Sequence, residues 1–121
     1  MGAFVPVSGG RTTTDLGIQT KGGTFTPLVP RGSVLPVEHG EVFTTAADGQ
    51  PTIRIDVLHG TTGRAADALP VGHYEVRVPQ AVARGVPQIL VTFQIDTSGG
   101  VVVTAVEQTA DDVPVPVERT S

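Results

Sequence analysis

The sequence predicts an all-β fold, an antiparallel β-sandwich of about eight strands, and three observations support this prediction. The 121 residues include 20 Val and 16 Thr, residue types that favour extended strands. The 15 Gly and 10 Pro separate short runs in which apolar and polar residues alternate. No window of a dozen residues has the 3.6-residue apolar period of an amphipathic helix. The length and the strand spacing together indicate one domain with a single core between two sheets.

Seven alternating runs are expected to form the main strands, and each is followed by a turn signal. In chain order these runs are LGIQT, TFTPLV, EVFTT, TIRIDVL, HYEVRV, QILVTFQID and VVVTAVE. Successive side chains of a strand point to opposite faces of the sheet. In QILVTFQID, this alternation predicts that Ile89, Val91, Phe93 and Ile95 share the face that packs in the core.

The two ends of the chain differ in composition from the region between them. Residues 1–14 are rich in Gly, Ser and Thr and are predicted to be a flexible arm, so the sandwich is expected to span residues 15–106. Residues 107–121 alternate through several valines, but Pro114 and Pro116 cannot donate ladder hydrogen bonds. This Pro/Val-rich segment is therefore predicted to be a tail or, at most, an edge strand.

Charge and composition argue against several classes of function. A formal net charge of −4 without a cluster of Lys or Arg argues against nucleic-acid binding. The sequence has neither a run of the roughly 20 apolar residues that span a membrane nor a signal-peptide pattern at its start. The absence of cysteine excludes disulfides and fits a cytoplasmic protein, which is the location that we expect.

The residue types that carry catalysis or bind metals form no recognisable pattern. His39, His59 and His73 lack the spacing of metal ligands, and Asp111 and Asp112 lie in a Pro-rich segment. A phosphate-binding loop, a dinucleotide fingerprint and a nucleophile elbow are all missing from the sequence. We therefore expect no catalytic residue, no metal site and no cofactor, and we expect that the protein is not an enzyme.

The order of the segments resembles that of a known family. The stretches LGIQTKGGTFTPLVPRGSVLP, EVFTTAADGQPTIRIDVLHG, RAADALPVG and ARGVPQILVTFQIDTSGGVVVTA follow one another from Leu16 to about Ala105. This series is similar to the β-sandwich peptide-binding subdomain of the DnaK (heat-shock-70) chaperones. The resemblance implies a channel, formed by loops at one end of the sandwich, that holds an extended segment of an unfolded protein. A central pocket of the channel would receive one apolar side chain, often Leu.

The resemblance also assigns residues to this channel. It implies that the floor and pocket consist of Leu16, Ile18, Thr20, Phe43, Ile53, Ile55 and Ile89. It further implies that Lys21 and Ala46 arch over the peptide and that Thr44 and Gln50 form hydrogen bonds with its backbone. Asp48 and Arg84 match positions that latch the family's helical lid, and without a lid they are expected to be surface charges or a loop-to-loop pair. In the absence of the resemblance, the apolar members of this set would be interpreted as ordinary core residues.

Two hypotheses follow from the resemblance. Family members combine an ATPase domain, an apolar linker, this sandwich and a helical lid, whereas the residues around positions 16–105 show neither the linker pattern nor a helical pattern. The leading hypothesis is a chaperone-type module, without ATPase or lid, that binds extended hydrophobic peptides of unfolded proteins. The alternative is a structural or assembly domain whose channel is filled by its own or a neighbour's tail. FVPV and VPVPV are the apolar candidates for such self-association.

Overall fold

The computed structural model describes residues 3–20, 23–62, 64–78, 83–108 and 113–119. Twelve strands and one short 3-10 turn, Ala65–Asp67, lie within these residues. The strands are β1 (Ala3–Phe4), β2 (Val7–Ser8), β3 (Arg11–Thr12), β4 (Asp15–Thr20), β5 (Thr24–Val29), β6 (Val37–Phe43), β7 (Thr52–Gly60), β8 (Leu69–Arg77), β9 (Ile89–Ile95), β10 (Gly100–Glu107), β11 (Val113–Val115) and β12 (Val117–Arg119). No helix in the described part of the chain is long and apolar enough to cross a membrane.

The strands form two five-stranded sheets and a separate hairpin. The front sheet has the order β12-β8-β7-β4-β5, and in the back sheet β6 pairs with β9 and β9 pairs with β10. Both β1 and β11 pair with the other side of β10, while β2 and β3 form the hairpin. The pairings of all these strands are antiparallel, which confirms the predicted all-β antiparallel fold. Each of the seven longest strands overlaps one of the seven predicted runs, although β6 begins four residues before the run EVFTT.

The core lies between the two sheets and follows from the alternation of the strands. On β9, Ile89, Val91, Phe93 and Ile95 are all buried, as predicted. The front sheet contributes buried residues from β4, β5, β7 and β8 to the same cluster. Complete burial of one such side chain is worth about 1.5–3 kcal/mol, so this apolar cluster is the main source of stability.

The N-terminal segment differs from the flexible arm that its composition predicted. Ala3 and Phe4 pair with the start of β10, and Ala3 and Val5 are buried in the core. Thr12 is also buried, and its hydroxyl donates to the Pro30 carbonyl and accepts the Ser33 N–H. Each strand of this segment has only two residues, which is too short for an alternation to be visible in the sequence.

The C-terminal segment crosses from the back sheet to the front sheet. Strand β11 pairs with β10 and β12 pairs with β8, so the same short stretch is an edge strand in both sheets. Between them, the Pro116 carbonyl accepts the N–H of Arg77, and Val115 is buried in the core. The segment therefore closes the side of the sandwich between β10 and β8. Asp111 and Asp112 lie outside the described residues.

Candidate functional site

Most of the residues assigned to the channel lie at one end of the sandwich. Strands β4, β6 and β8 end there, and strands β7 and β9 begin there. Two connections lie at this end. The first, which we call the 44–51 loop, joins β6 to β7, and the second, which we call the 83–88 loop, leads into β9. The expected site is therefore formed by strand ends and loops, the parts of a β-sandwich that can differ without disturbing the core.

The predicted floor and pocket include six apolar residues, of which Leu16 and Ile18 lie farther along the sheet, opposite His59 and Val57 of β7. Phe43 lies opposite Ile89 in the pairing of β6 with β9 and is half-buried against the core. The five others are buried in the core cluster itself: Leu16, Ile18, Ile53, Ile55 and Ile89. In this structure the pocket candidates thus pack against one another as part of a closed core.

Strand β7 shows a gradient of burial along the face that it presents to the core. The exposed fraction falls from 6% at Ile53 to 2% at Ile55 and 1% at Val57. Ile53 follows the 44–51 loop by only two residues, whereas Val57 pairs with Ile18 farther along the sheet. Of the two pocket candidates on β7, Ile53 is therefore the closer to the surface and to the loops.

Gln50 closes the 44–51 loop through three hydrogen bonds of its side-chain amide. Its Oε1 atom accepts the N–H groups of Ala46 at 3.0 Å and Ala47 at 3.2 Å, and its Nε2 atom donates to the Thr52 carbonyl at 2.7 Å. These bonds span the loop from its middle to the first residue of β7. The amide that the resemblance assigns to peptide binding thus holds the loop in shape, with one N–H still to donate.

The 83–88 loop braces the 44–51 loop through backbone and side-chain hydrogen bonds. The Thr44 hydroxyl donates to the Pro87 carbonyl, and the Gly85 N–H donates to the carbonyl and hydroxyl oxygens of Thr45. Asp48 and Arg84 also meet, but the contact is between the Arg84 backbone N–H and Asp48 Oδ1 at 2.9 Å. Among the ion pairs of the described residues, none joins the Arg84 guanidinium to Asp48.

Glu107 is a buried carboxylate beside the site, and it is not among the residues that the sequence predicted. It ends β10 directly opposite Ile89, and its Oε1 atom accepts the Gln88 N–H at 3.3 Å. The Gln108 N–H donates to the Gln88 carbonyl at 2.8 Å, so both backbone groups of Gln88 are fixed. The signal was present in the sequence, because Glu107 occupies the alternation position that Val101 and Ala105 fill with buried apolar side chains.

The predicted arch over the peptide falls largely on residues that the structure does not describe. Lys21 lies outside the described residues, as does the side chain of Thr20. The backbone of Thr20 pairs with Thr24 at the end of β4. Ala46 is exposed on the 44–51 loop, where an arch residue would need to be. The pairing of Lys21 with Ala46 over a peptide stays a prediction.

Both apolar end segments occupy sheet edges in this structure. FVPV begins in β1 on β10, and VPVPV forms β11 and the start of β12. Burial of Val5 and Val115 ties these segments to the core of their own chain. The described residues of the two tails therefore act as edge strands and do not fill the predicted channel.

A groove of about 390 Å³ lies at the opposite end of the back sheet. It is lined by Pro36, Val37, Glu38, Gln94, Ile95, Asp96, Gly100 and Val102. None of the residues assigned to peptide binding is among them. At its rim, hydrogen bonds from the Ser98 hydroxyl and from the N–H groups of Gly100 and Ser98 lower the pKa of Asp96. This carboxylate shapes the turn between β9 and β10.

The three histidines are spread over the sandwich and each has a local partner. His39 Nε2 lies 3.4 Å from Glu41 Oε1, and His73 Nδ1 lies 2.6 Å from Asp56 Oδ1. His59 contacts the Thr14 hydroxyl, and burial lowers the pKa of His59. In the part of the chain that the structure describes, no three His, Asp or Glu side chains form a group that could hold a metal ion.

Comparison with known proteins agrees with the resemblance and extends it. The family model described as "Hsp70 protein" matches residues 11–119, which include β3 to β12. A protein named Chaperone protein DnaK from Mycoplasma mycoides subsp. mycoides is 41% identical over 101 residues, which are 84% of this chain and 17% of the relative. Chaperone protein DnaK from Thermosipho melanesiensis is 48% identical, and that from Thermosipho africanus 47%, each over 95 residues. Those 95 residues are 78% of this chain and 16% of either relative.

These relatives correct one expectation drawn from the sequence. We expected that the protein is not an enzyme, and that expectation is wrong because the relatives are DnaK chaperones of the Hsp70 family, whose members are ATPases. The chain has 121 residues and spans about one sixth of the length of the curated relatives it matches. The absence of catalytic motifs from these residues therefore does not decide whether the protein is an enzyme.

The match to the family covers more of the chain than the motifs that suggested it. Those motifs extend from Leu16 to about Ala105, whereas the family model continues through the strands that cross between the sheets, β11 and β12. The predicted channel residues and the loops that brace them all lie inside the matched range. The chain belongs to the Hsp70 protein family.

Proposed function

We propose that this β-sandwich binds extended hydrophobic segments of unfolded polypeptides at the end formed by the 44–51 and 83–88 loops. Membership in the Hsp70 family and the chaperone names of the relatives support a chaperone role. The observation that carries the proposal is the position of Phe43, Ile53 and Ile89, which lie beside two loops that brace each other. The same proposal places the protein in the cytoplasm, in keeping with its lack of cysteine.

The chemistry of the site fits weak and promiscuous binding. Hydrogen bonds to the backbone of an extended peptide are indifferent to its sequence, and a small apolar pocket then selects the side chain that enters it. Burial of one Leu side chain is worth about 1.5–3 kcal/mol. A dissociation constant of order micromolar is therefore expected for a short Leu-rich peptide.

The burial of Ile53 and Ile55 has a consequence for how a peptide enters. Because both side chains are packed in the core, the proposed pocket opens only if the wall formed by the 44–51 loop moves. Three of its residues, Thr44, Thr45 and Asp48, bond to the 83–88 loop. Each such hydrogen bond is worth about 0.5–1.5 kcal/mol net, so opening at moderate cost is compatible with micromolar affinity.

A matched pair of substitutions on β7 tests the proposal. Ile53→Thr should leave the domain folded and weaken the binding of a labelled Leu-rich heptapeptide about fivefold or more, because it removes about 1 kcal/mol of apolar contact. Val57→Thr, on the same face but deeper, should lower the free energy of unfolding by about 1–3 kcal/mol through a buried hydroxyl. Fluorescence anisotropy measures the affinity, and thermal denaturation measures the stability.

The comparison distinguishes a pocket from an ordinary core. Ile→Thr removes more apolar volume than Val→Thr, so an ordinary core would make the Ile53 variant the less stable of the two. Under the proposal, the Ile53 variant is the more stable and has the weaker affinity for the peptide. An Ile53→Thr protein that binds peptide like the wild type would contradict the assignment of a pocket at this position.

A further inference from the structure

Strand β6 forms an open edge of the back sheet. Among the described residues it pairs with β9 alone, through an unbroken register from Val37 to Phe43. The far side of the sheet differs, because β1 and β11 already pair with β10. An open edge presents unpaired N–H and C=O groups, which readily pair with another strand. The strand has neither a proline nor a bulge to prevent such pairing.

The sequence of β6, VEHGEVF, is complementary to itself when two copies run antiparallel about Gly40. In that register Gly40 faces Gly40, and Val37 of one copy faces Phe43 of the other. On the same face as these apolar residues, His39 of each copy faces Glu41 of the second copy. On the opposite face, Glu38 of each copy lies beside Val42 of the second copy. Every direct pair thus joins residues that do not repel each other.

His39 and Glu41 have room to form this contact between two chains. Both side chains are partly exposed, 37% for His39 and 44% for Glu41, and their distance of 3.4 Å within the chain is long. In a two-fold pairing, each Glu41 carboxylate can accept a hydrogen bond from the imidazole of the second copy. Two symmetric His–Glu pairs would then fix the register.

The outward face of the back sheet has few charges. Its outward positions on β6, β9 and β10 are Glu38, Gly40, Val42, Leu90, Thr92, Gln94, Gly100, Val102, Thr104 and Val106, and Glu38 is the one ionisable residue among them. The front sheet carries Arg54, Asp56 and His73 on its outward face. A second copy that continued the back sheet would extend an uncharged surface, on which Val42 is 48% exposed at the edge.

We propose that two copies of the chain associate through β6, antiparallel about a two-fold axis at Gly40, and so form one continuous back sheet. The occupant of the open edge is a second copy because the strand complements its own sequence in charge and in apolar contacts. A seven-residue edge is a small interface, so the dimer is expected to be weak and reversible.

A charge exchange tests the proposal on the full chain. Sedimentation of the wild type over roughly 10 µM to 1 mM should show the mass rising from one chain toward two. His39→Glu places two carboxylates opposite each other on both sides of Gly40, and this variant should stay monomeric. The double variant His39→Glu/Glu41→His restores the pairs with exchanged partners and should dimerise again. Gln19→Glu changes an exposed residue of β4 on the front sheet and should dimerise like the wild type.

The register has its own test because the chain contains no cysteine. Glu38→Cys and Val42→Cys, mixed under mild oxidation, should form a disulfide-linked dimer faster than either variant alone. Circular dichroism verifies that each variant is folded.

The proposal is overturned by a wild type that stays monomeric throughout the series, by a folded His39→Glu variant that still dimerises, or by a folded exchange variant that stays monomeric.

Discussion

Asp56 is the carboxylate on β7 that lies between two basic side chains. Its Oδ1 atom is 2.6 Å from His73 Nδ1 and 3.1 Å from Arg54 Nε. Burial raises the pKa of Asp56, but the hydrogen bonds from His73 and Arg54 together outweigh it, so the pKa lies below its ordinary 3.8. A carboxylate with a depressed pKa stabilises the fold above its unfolded pKa, and this contribution is lost as the pH falls through the folded pKa.

Asp56→Asn should therefore change how stability depends on pH. At pH 7 the variant should be less stable than the wild type by about 0.5–1 kcal/mol, the usual range for a partly exposed pair. The difference should shrink as the pH falls below the unfolded pKa of about 4 and disappear once the pH is below the folded pKa. Thermal denaturation over a pH series measures it. Asp67→Asn is the control, because Asp67 lies 3.8 Å from Arg64 in a more exposed pair. A difference in stability between Asp56→Asn and the wild type that stays constant at all pH values would contradict the linkage.

Individual residues were predictable where the strand period determines them. The burial of Ile53, Ile55 and Ile89 follows from alternation alone, because a strand cannot turn one of its side chains to the other face. The role of Gln50 was not predictable, since its bonds depend on the path of an irregular loop. Glu107 could have been found by the same alternation, but a lone acidic residue at a core position is easily taken for the end of a strand.

The short strands at the two ends of the chain show where the alternation of apolar residues fails to predict a strand. β1 and β11 have two and three residues, too few for a period, and both add to a strand, β10, that is already part of a sheet. Composition suggested a flexible arm and a tail because Gly, Ser and Pro are common in both. Both short strands pair with β10 at the edge of an existing sheet, and a local sequence pattern does not reveal such a partner.

Removal of residues 113–121 should cost stability and leave the peptide site no more accessible. The deletion exposes the space filled by Val115, whose burial is worth about 1.5–3 kcal/mol. The melting temperature should therefore fall by roughly 5–15 °C. A chain that lacks only residues 120–121 is the matched control and should melt like the full chain. A shortened chain with unchanged melting temperature and tighter peptide binding would instead favour a tail that fills the channel.

One apolar cluster joins both sheets, and this makes the sandwich a single cooperative unit. The cluster includes residues from β1, β4, β5, β7, β8, β9, β10 and β11. Tyr74, the one tyrosine in a chain without tryptophan, is buried in it with 5% exposure. Its fluorescence therefore reports on the packing between the sheets, whereas far-ultraviolet circular dichroism reports on the strands themselves.

The two signals should follow the same unfolding curve. Domains of this size usually unfold in one transition, and a core shared by both sheets leaves no part that can remain folded alone. Urea titrations monitored by Tyr74 fluorescence and by circular dichroism should give the same midpoint within error. Separate midpoints would show that one sheet survives without the other, and the single-core description would then be wrong.

The class of the fold was predictable from the sequence, but the order of the strands was not. Alternation and turn signals give a list of strands and their inward faces. Which strand pairs with which depends on contacts distant in sequence, such as β6 with β9 and β4 with β7. The resemblance to the DnaK chaperones supplied the expected channel residues because homologous segments keep their places in a fold.

The two strands beside β10 come from opposite ends of the chain and run in the same direction along one line. Val115 pairs with Ala105, and Ala3 pairs with Val101, so three positions of β10 separate the end of β11 from the start of β1. A circular permutant that joins Val115 to Ala3 through three residues could therefore run one uninterrupted strand along β10. Its new termini could open at the exposed turn of residues 97–98, and the segment that crosses to the front sheet and forms β12 would be left out.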